Sequence, residues 1–155
     1  MSKQSIWARK KARRALVQAI YQWQMTGATP AEVIKEFEEG EALKNADPVF
    51  FADALRRVVL RTDLLDEQFT PLLDRAHKDL DPVEMALLRL GVDELMHRPD
   101  VPYRVVIDEY VELAKTFGAE ESHKYINGVL DKLARQLRPA EVAARSGANR
   151  RAPDC

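Results

Sequence analysis

Four times along this chain a residue suited to capping a helix is followed at once by proline: Thr29-Pro30, Asp47-Pro48, Thr70-Pro71 and Asp81-Pro82. Proline has no N–H to waste at the first helical position, and a preceding Thr or Asp can accept from the free amides of the first turn. Thr29-Pro30-Ala31-Glu32 and Asp81-Pro82-Val83-Glu84 add an acid at the third helical position, the pattern of a capping box. The signals at 47 and 70 are weaker. Gly27, Gly118 and Pro139 are the matching stops.

Apolar spacing between these marks predicts about seven helices. Six lie at roughly 8–26, 30–38, 48–61, 82–97, 103–117 and 120–138, with one or two short pieces between 63 and 78. Ala8, Ala12, Ala15, Leu16, Ala19, Ile20 and Trp23 share one face of the first helix. Val105, Val106, Tyr110, Leu113, Ala114 and Phe117 form the stripe of the helix that starts at 103. No segment alternates like a strand, so the fold class is all-α, a helical bundle in residues 1–138. From Pro139 the chain loses its large apolar residues, and 139–155 reads as a frayed or disordered tail. Gly128 falls inside the last helix, where glycine costs about 1 kcal/mol relative to alanine, and close helix–helix approach is the expected reason.

Charge is segregated along the chain. Lys and Arg total 24 against 25 Asp and Glu, yet residues 1–14 hold Lys3, Arg9, Lys10, Lys11, Arg13 and Arg14 with no acid. Residues 15–31 are uncharged, and 32–53 carry a net −5. On a helical wheel Arg9 and Arg13 stack along one line, with Lys10 and Arg14 on the next. Cations near a helix N-terminus oppose the macrodipole, which a polyanion ligand would justify. A solvated basic arm is the other reading, and spacing leaves both open.

A second feature surrounds the junction of the last two helices. Glu121, Lys124 and Tyr125 fall on one side of the final helix, and Phe117 just precedes Gly118. Aromatic rings beside a cation suit single-stranded RNA, whose bases stack while phosphate meets the charge. The plainer reading, which these residues alone favour, makes Phe117 and Tyr125 core side chains and Glu121 with Lys124 a surface ion pair.

Signals for catalysis are poor. His77, His97 and His123 are isolated, the one cysteine is Cys155, and no phosphate loop or nucleophile motif occurs. Asp93/Glu94, Asp108/Glu109 and Glu120/Glu121 read as solvated helix faces. No catalytic residue, metal site or cofactor is expected, and a binding module is favoured over an enzyme. A lone cysteine, no apolar run of membrane-spanning length and no signal-peptide core lead to the expectation of a soluble cytoplasmic protein.

The run from Arg9 to Gln24, the segment Asp100-Val101-Pro102-Tyr103-Arg104-Val105-Val106-Ile107-Asp108-Glu109, and Glu112 to Gly118 followed by Ser122 to Lys132 resemble the bacterial NusB antitermination family over essentially 8–138. The resemblance implies two packed helical sub-bundles. It also implies binding of single-stranded boxA RNA in nascent ribosomal RNA transcripts, jointly with the small-subunit ribosomal protein NusE, to help RNA polymerase read through terminators. Carried over by position, Arg9, Lys10, Lys11 and Arg13 would contact phosphates, with Arg14 reinforcing the ridge. Phe117, Glu121, Lys124 and Tyr125 would form a second RNA-contacting stretch, and Tyr21 and Glu84 would face NusE. A homodimer of the free protein is a further expectation from the family.

Lysines replace part of the arginine run, keeping charge but losing the bidentate fork, and Tyr125 stands where phenylalanine is common. Two other functions compete. An RNA-binding module in ribosomal RNA modification would expect a cofactor domain that these 155 residues do not supply. A DNA-binding regulator would need a second helix with base-reading polar residues, which the uncharged stretch 15–31 does not supply.

Overall fold

The computed structural model describes residues 2–150, with side chains described as far as Gly147. Its α-helices are α1 (Lys3–Thr26), α2 (Pro30–Glu39), α3 (Pro48–Leu60), α4 (Thr62–Phe69), α5 (Pro82–His97), α6 (Tyr103–Phe117), α7 (Ser122–Leu137) and α8 (Pro139–Arg150). Short 3-10 turns at Thr70–Leu72 and His77–Asp79 join α4 to α5. No strand occurs among the described residues, and none of their helices is long and apolar enough to cross a membrane.

The caps explain most boundaries. Thr29 and Asp81 both complete capping boxes, with Glu32 and Glu84, and the Asp47 carboxylate accepts from the Phe50 amide. Gly27 ends α1 in the left-handed conformation (φ 69°) that favours glycine. Thr70 behaves differently from the sequence expectation. Its hydroxyl donates to the Asp66 carbonyl and so closes α4, and Thr70 is the first residue of the short 3-10 turn that follows and not its side-chain cap. The first helix also starts earlier than expected, because Ser2 caps it by accepting from the Ser5 amide. Arg9 to Arg14 therefore lie two to three turns inside α1, and their opposition to the macrodipole, which fades beyond the first turn, disappears.

Helices α1–α3 pack together, α5–α7 form a second group, and α1 lies against α5 at the junction. Leu16, Ile20, Phe51, Leu55, Leu87, Leu88, Ile107 and Ile126 are fully buried in one continuous core.

The tail is a correction. Residues from Pro139 form α8, docked by three contacts: Val142 packs on the core, Glu141 accepts from the Tyr103 amide at 2.6 Å, and Glu141 also pairs with the buried Arg138 at 3.3 Å. Since Pro102 offers α6 no side-chain cap, Glu141 supplies one from a distant part of the chain. Cys155 and its neighbours from 151 lie outside the described residues.

Gly128 is a second correction. A Cβ there would meet nothing within 4 Å, whereas at Gly91 it would lie 2.8 Å from a Leu130 methyl carbon. The close approach belongs to α5 against α7. Gly128→Ala should therefore raise unfolding free energy by up to about 1 kcal/mol, by helix propensity alone. Gly91→Ala should lower it by about 1–3 kcal/mol through overpacking against buried Leu130. Urea denaturation of the two variants, shifted in opposite directions, checks both.

Candidate nucleic-acid interface

The basic run of α1 divides in two once the helix is packed. Arg13 is only 4% exposed. Its guanidinium makes a forked pair with Glu94, from Nε to Oε1 at 2.9 Å and from Nη2 to Oε2 at 2.7 Å. The Tyr110 hydroxyl donates to the same carboxylate at 2.8 Å. Burial works against the charged Arg13, but the hydrogen bonds and charge of Glu94 outweigh it and leave its pKa raised. Burial, reinforced by the Glu94 charge, likewise pushes the Tyr110 hydroxyl well up. Arg13 thus faces the core and cannot meet phosphate, contrary to the sequence expectation. Glu94 and its neighbour Asp93, which pairs with Arg57, are buried too, and so are not a solvated face.

Arg9 is mostly covered. It pairs with Asp100 at 3.3 Å and lies over the Phe50 ring, leaving little of the guanidinium for a ligand. The line of Arg9 and Arg13 is therefore the inward-leaning side of the run.

Lys10, Lys11 and Arg14 remain on the outer side. Lys10 is half exposed and reaches Glu109 at 2.9 Å. Lys11 and Arg14 are exposed and form no ion pair among the described residues. Arg14 lies over the Phe117 ring, its guanidinium carbon 5.5 Å from the centroid. A groove of about 570 Å³ runs between α1 and α6, lined by Trp7, Lys10, Lys11, Arg14, Glu109, Glu112, Leu113 and Thr116. Trp7 escaped the sequence reading. The signal that could have found it is its spacing, four residues before Lys11 and seven before Arg14.

The second predicted cluster is only partly assembled. Glu121 and Lys124 form an exposed ion pair at 3.1 Å, and Glu121 stands just outside α7, whose first residue is Ser122. Phe117 and Tyr125 are each partly buried against the core. Arg75 covers Tyr125 at 4.0 Å from the ring centroid, so one face of that ring is already occupied. The Tyr125 hydroxyl is buried with no hydrogen-bond partner among the described residues. Burial, with the Asp74 charge next, raises its pKa.

Of the two residues expected to face a protein partner, Tyr21 does lie on the surface, 40% exposed. It lines an apolar groove of about 450 Å³ with Val17, Met25, Val83 and Phe117. Glu84 does not reach that surface. It is 5% exposed, held by its capping role and by the Ser122 hydroxyl, which donates to its carboxylate at 3.1 Å. Its chemistry is structural, joining the first turn of α5 to the first turn of α7.

The comparisons with known proteins agree with one another. The NusB family model matches residues 10–135. The transcription antitermination protein NusB of Alcanivorax borkumensis is 54% identical over 138 residues, which span 89% of this chain and 92% of that protein. That of a Marinomonas species is 48% identical over 144 residues, 92% of this chain and 83% of the relative. Among solved structures, a NusB of T. maritima superposes with a TM-score of 0.75 at 26% identity, covering 87% of this chain and 96% of that one. A crystal structure of the antitermination factors NusB and NusE in complex with double-stranded RNA also gives a TM-score of 0.75, at 30% identity. It covers 84% of this chain and 98% of that chain. These relatives are transcription antitermination factors and not enzymes. By family model, sequence and fold alike, the chain belongs to the NusB family.

Proposed function

We propose that this chain binds single-stranded boxA RNA of nascent ribosomal RNA transcripts in the cytoplasm, jointly with NusE, and so helps RNA polymerase read through terminators. The observation that carries the reading is the outward line of Lys10, Lys11 and Arg14, ending on Phe117, in a chain of an antitermination family. The solved relative with NusE and RNA supports both kinds of partner. The cations hold phosphate, and Phe117 offers a ring edge at the end of the line. Glu121, Lys124 and Tyr125 extend the path across the start of α7, with Lys124 exchanging its carboxylate for phosphate. Tyr21 and the apolar groove around it receive NusE.

The test is a binding titration of boxA single-stranded RNA, duplex RNA and duplex DNA across a salt series, with and without NusE. Single-stranded RNA is expected to bind tightest, and more tightly with NusE present. Replacing Lys10, Lys11 and Arg14 together with alanine should flatten the log–log salt slope by about 2, at roughly 0.7 per phosphate contact on single strands. Helicity and NusE association should stay intact. Equal or tighter binding to arbitrary duplex DNA would sink the proposal.

A further inference from the structure

We propose that Trp7 is a nucleobase-stacking residue at the outer end of the basic line on α1, a role that rests on the RNA-binding reading above. The indole is 59% exposed, is not packed on the core, and makes no ring pair or cation–π contact among the described residues. The backbone that carries it is nonetheless anchored. Ser2 caps the turn beneath it, and the Asp47 amide donates to the Ala8 carbonyl at 3.0 Å, tying the α2–α3 connection to α1 beside it. Asn45, held in the left-handed conformation (φ 61°), shares a groove of about 430 Å³ with Trp7, Lys3 and Lys11. On its other side Trp7 borders the groove of Lys10, Lys11 and Arg14.

Lys3, Trp7, Lys10, Lys11 and Arg14 are spaced to lie along one side of α1, so the indole is flanked by cations in both directions. At 1.5 Å per residue, Trp7 stands about 10 Å along the axis from Arg14, which covers Phe117. Two aromatic rings thus bracket the exposed cations, which suits bases splayed from a backbone that tracks the positive charge. A protein partner would find only Leu113 as an apolar neighbour in that groove, among Lys, Arg, Glu and Thr. The acids Glu109 and Glu112 face Lys10 and Lys115, and leave Lys11 and Arg14 for phosphate.

The experiment compares wild type, Trp7→Ala and Trp7→Phe with boxA single-stranded RNA, following affinity, salt slope, tryptophan emission and NusE association. Trp7→Ala is expected to bind RNA about tenfold more weakly, at an unchanged salt slope, because a stack and not a charge is lost. Trp7→Phe should keep most of the affinity. It should also lose the RNA-induced quenching expected of wild type, since the other tryptophan, Trp23, is half-buried with Arg89 over it. Wild-type affinity in Trp7→Ala, with the Lys10, Lys11 and Arg14 variant impaired, would overturn this role alone. Weakened NusE association at unchanged RNA affinity would also overturn it, by making Trp7 a protein contact. Absence of any RNA binding by wild type would overturn the RNA-binding reading and this role together.

Discussion

Arg13→Ala should cost about 3–5 kcal/mol of unfolding free energy, the range for breaking a buried ion pair by removing one partner. The charge left behind is Glu94, which would retain only the Tyr110 hydroxyl as a hydrogen-bond partner to its carboxylate. Urea denaturation should show the midpoint falling with little change in slope, and RNA affinity per folded molecule should hardly change. Arg13→Met with Glu94→Leu and Tyr110→Phe should recover most of the loss, because an apolar replacement of a buried pair is often neutral or stabilising. A stably folded Arg13→Ala protein with lost RNA binding would contradict the structure and restore Arg13 to the RNA-contacting set.

Arg138→Ala is expected to be the next most damaging change, at about 3 kcal/mol. Its guanidinium donates to the carbonyls of Leu95 at 2.9 Å, Arg98 at 2.7 Å and Glu94 at 3.3 Å, and to that of Val101. Two of these, Glu94 and Leu95, belong to the last turn of α5 and Arg98 is its C-cap, where a cation complements the negative end of the dipole. Deleting the side chain strands the Leu95 and Val101 carbonyls, while those of Glu94 and Arg98 keep the amides of Arg98 and Val101. Each stranded acceptor is worth about 1–3 kcal/mol if left dry, and water entering the gap recovers part. It also frees Glu141, which Arg138 approaches at 3.3 Å. Hydrogen exchange should report the consequence at a distance: the Tyr103 amide, bonded to Glu141, should lose protection along with α8. Unaltered Tyr103 protection would mean that α8 docks without Arg138.

Where neighbouring residues decide the outcome, the sequence is readable. The boundaries of α5 and α6 coincide with the expected 82–97 and 103–117, since a capping box, a proline and a glycine mark them. It fails where a partner is remote. Whether Arg13 looks outward depends on Glu94, 81 residues away, and the helical wheel showed only that Arg9 and Arg13 share a line. A clue was available, because Arg13, Leu16, Val17 and Ile20 follow the spacing of one buried stripe. Glu94 could likewise be suspected from the run Leu90 to Leu95, buried on every side of α5. Residues 139–147 lack large apolar side chains, so local pattern gave no reason for a helix there. Glu141, Val142 and Arg138 dock it by tertiary contact. The close approach expected at Gly128 is found at Gly91 for the same reason: which helix lies nearby cannot be read from the glycine itself.

Phe117 has one more consequence. Its ring supports Arg14 beside the basic groove and also forms a wall of the apolar groove that holds Tyr21 and Met25. A molecule entering either groove and shifting this ring remodels the other. By thermodynamic linkage, whatever factor the first ligand imposes on the affinity of the second, the second imposes on the first. Under the proposed assignment of the two grooves, a single shared side chain would couple nucleic-acid and protein binding without the two ligands touching each other.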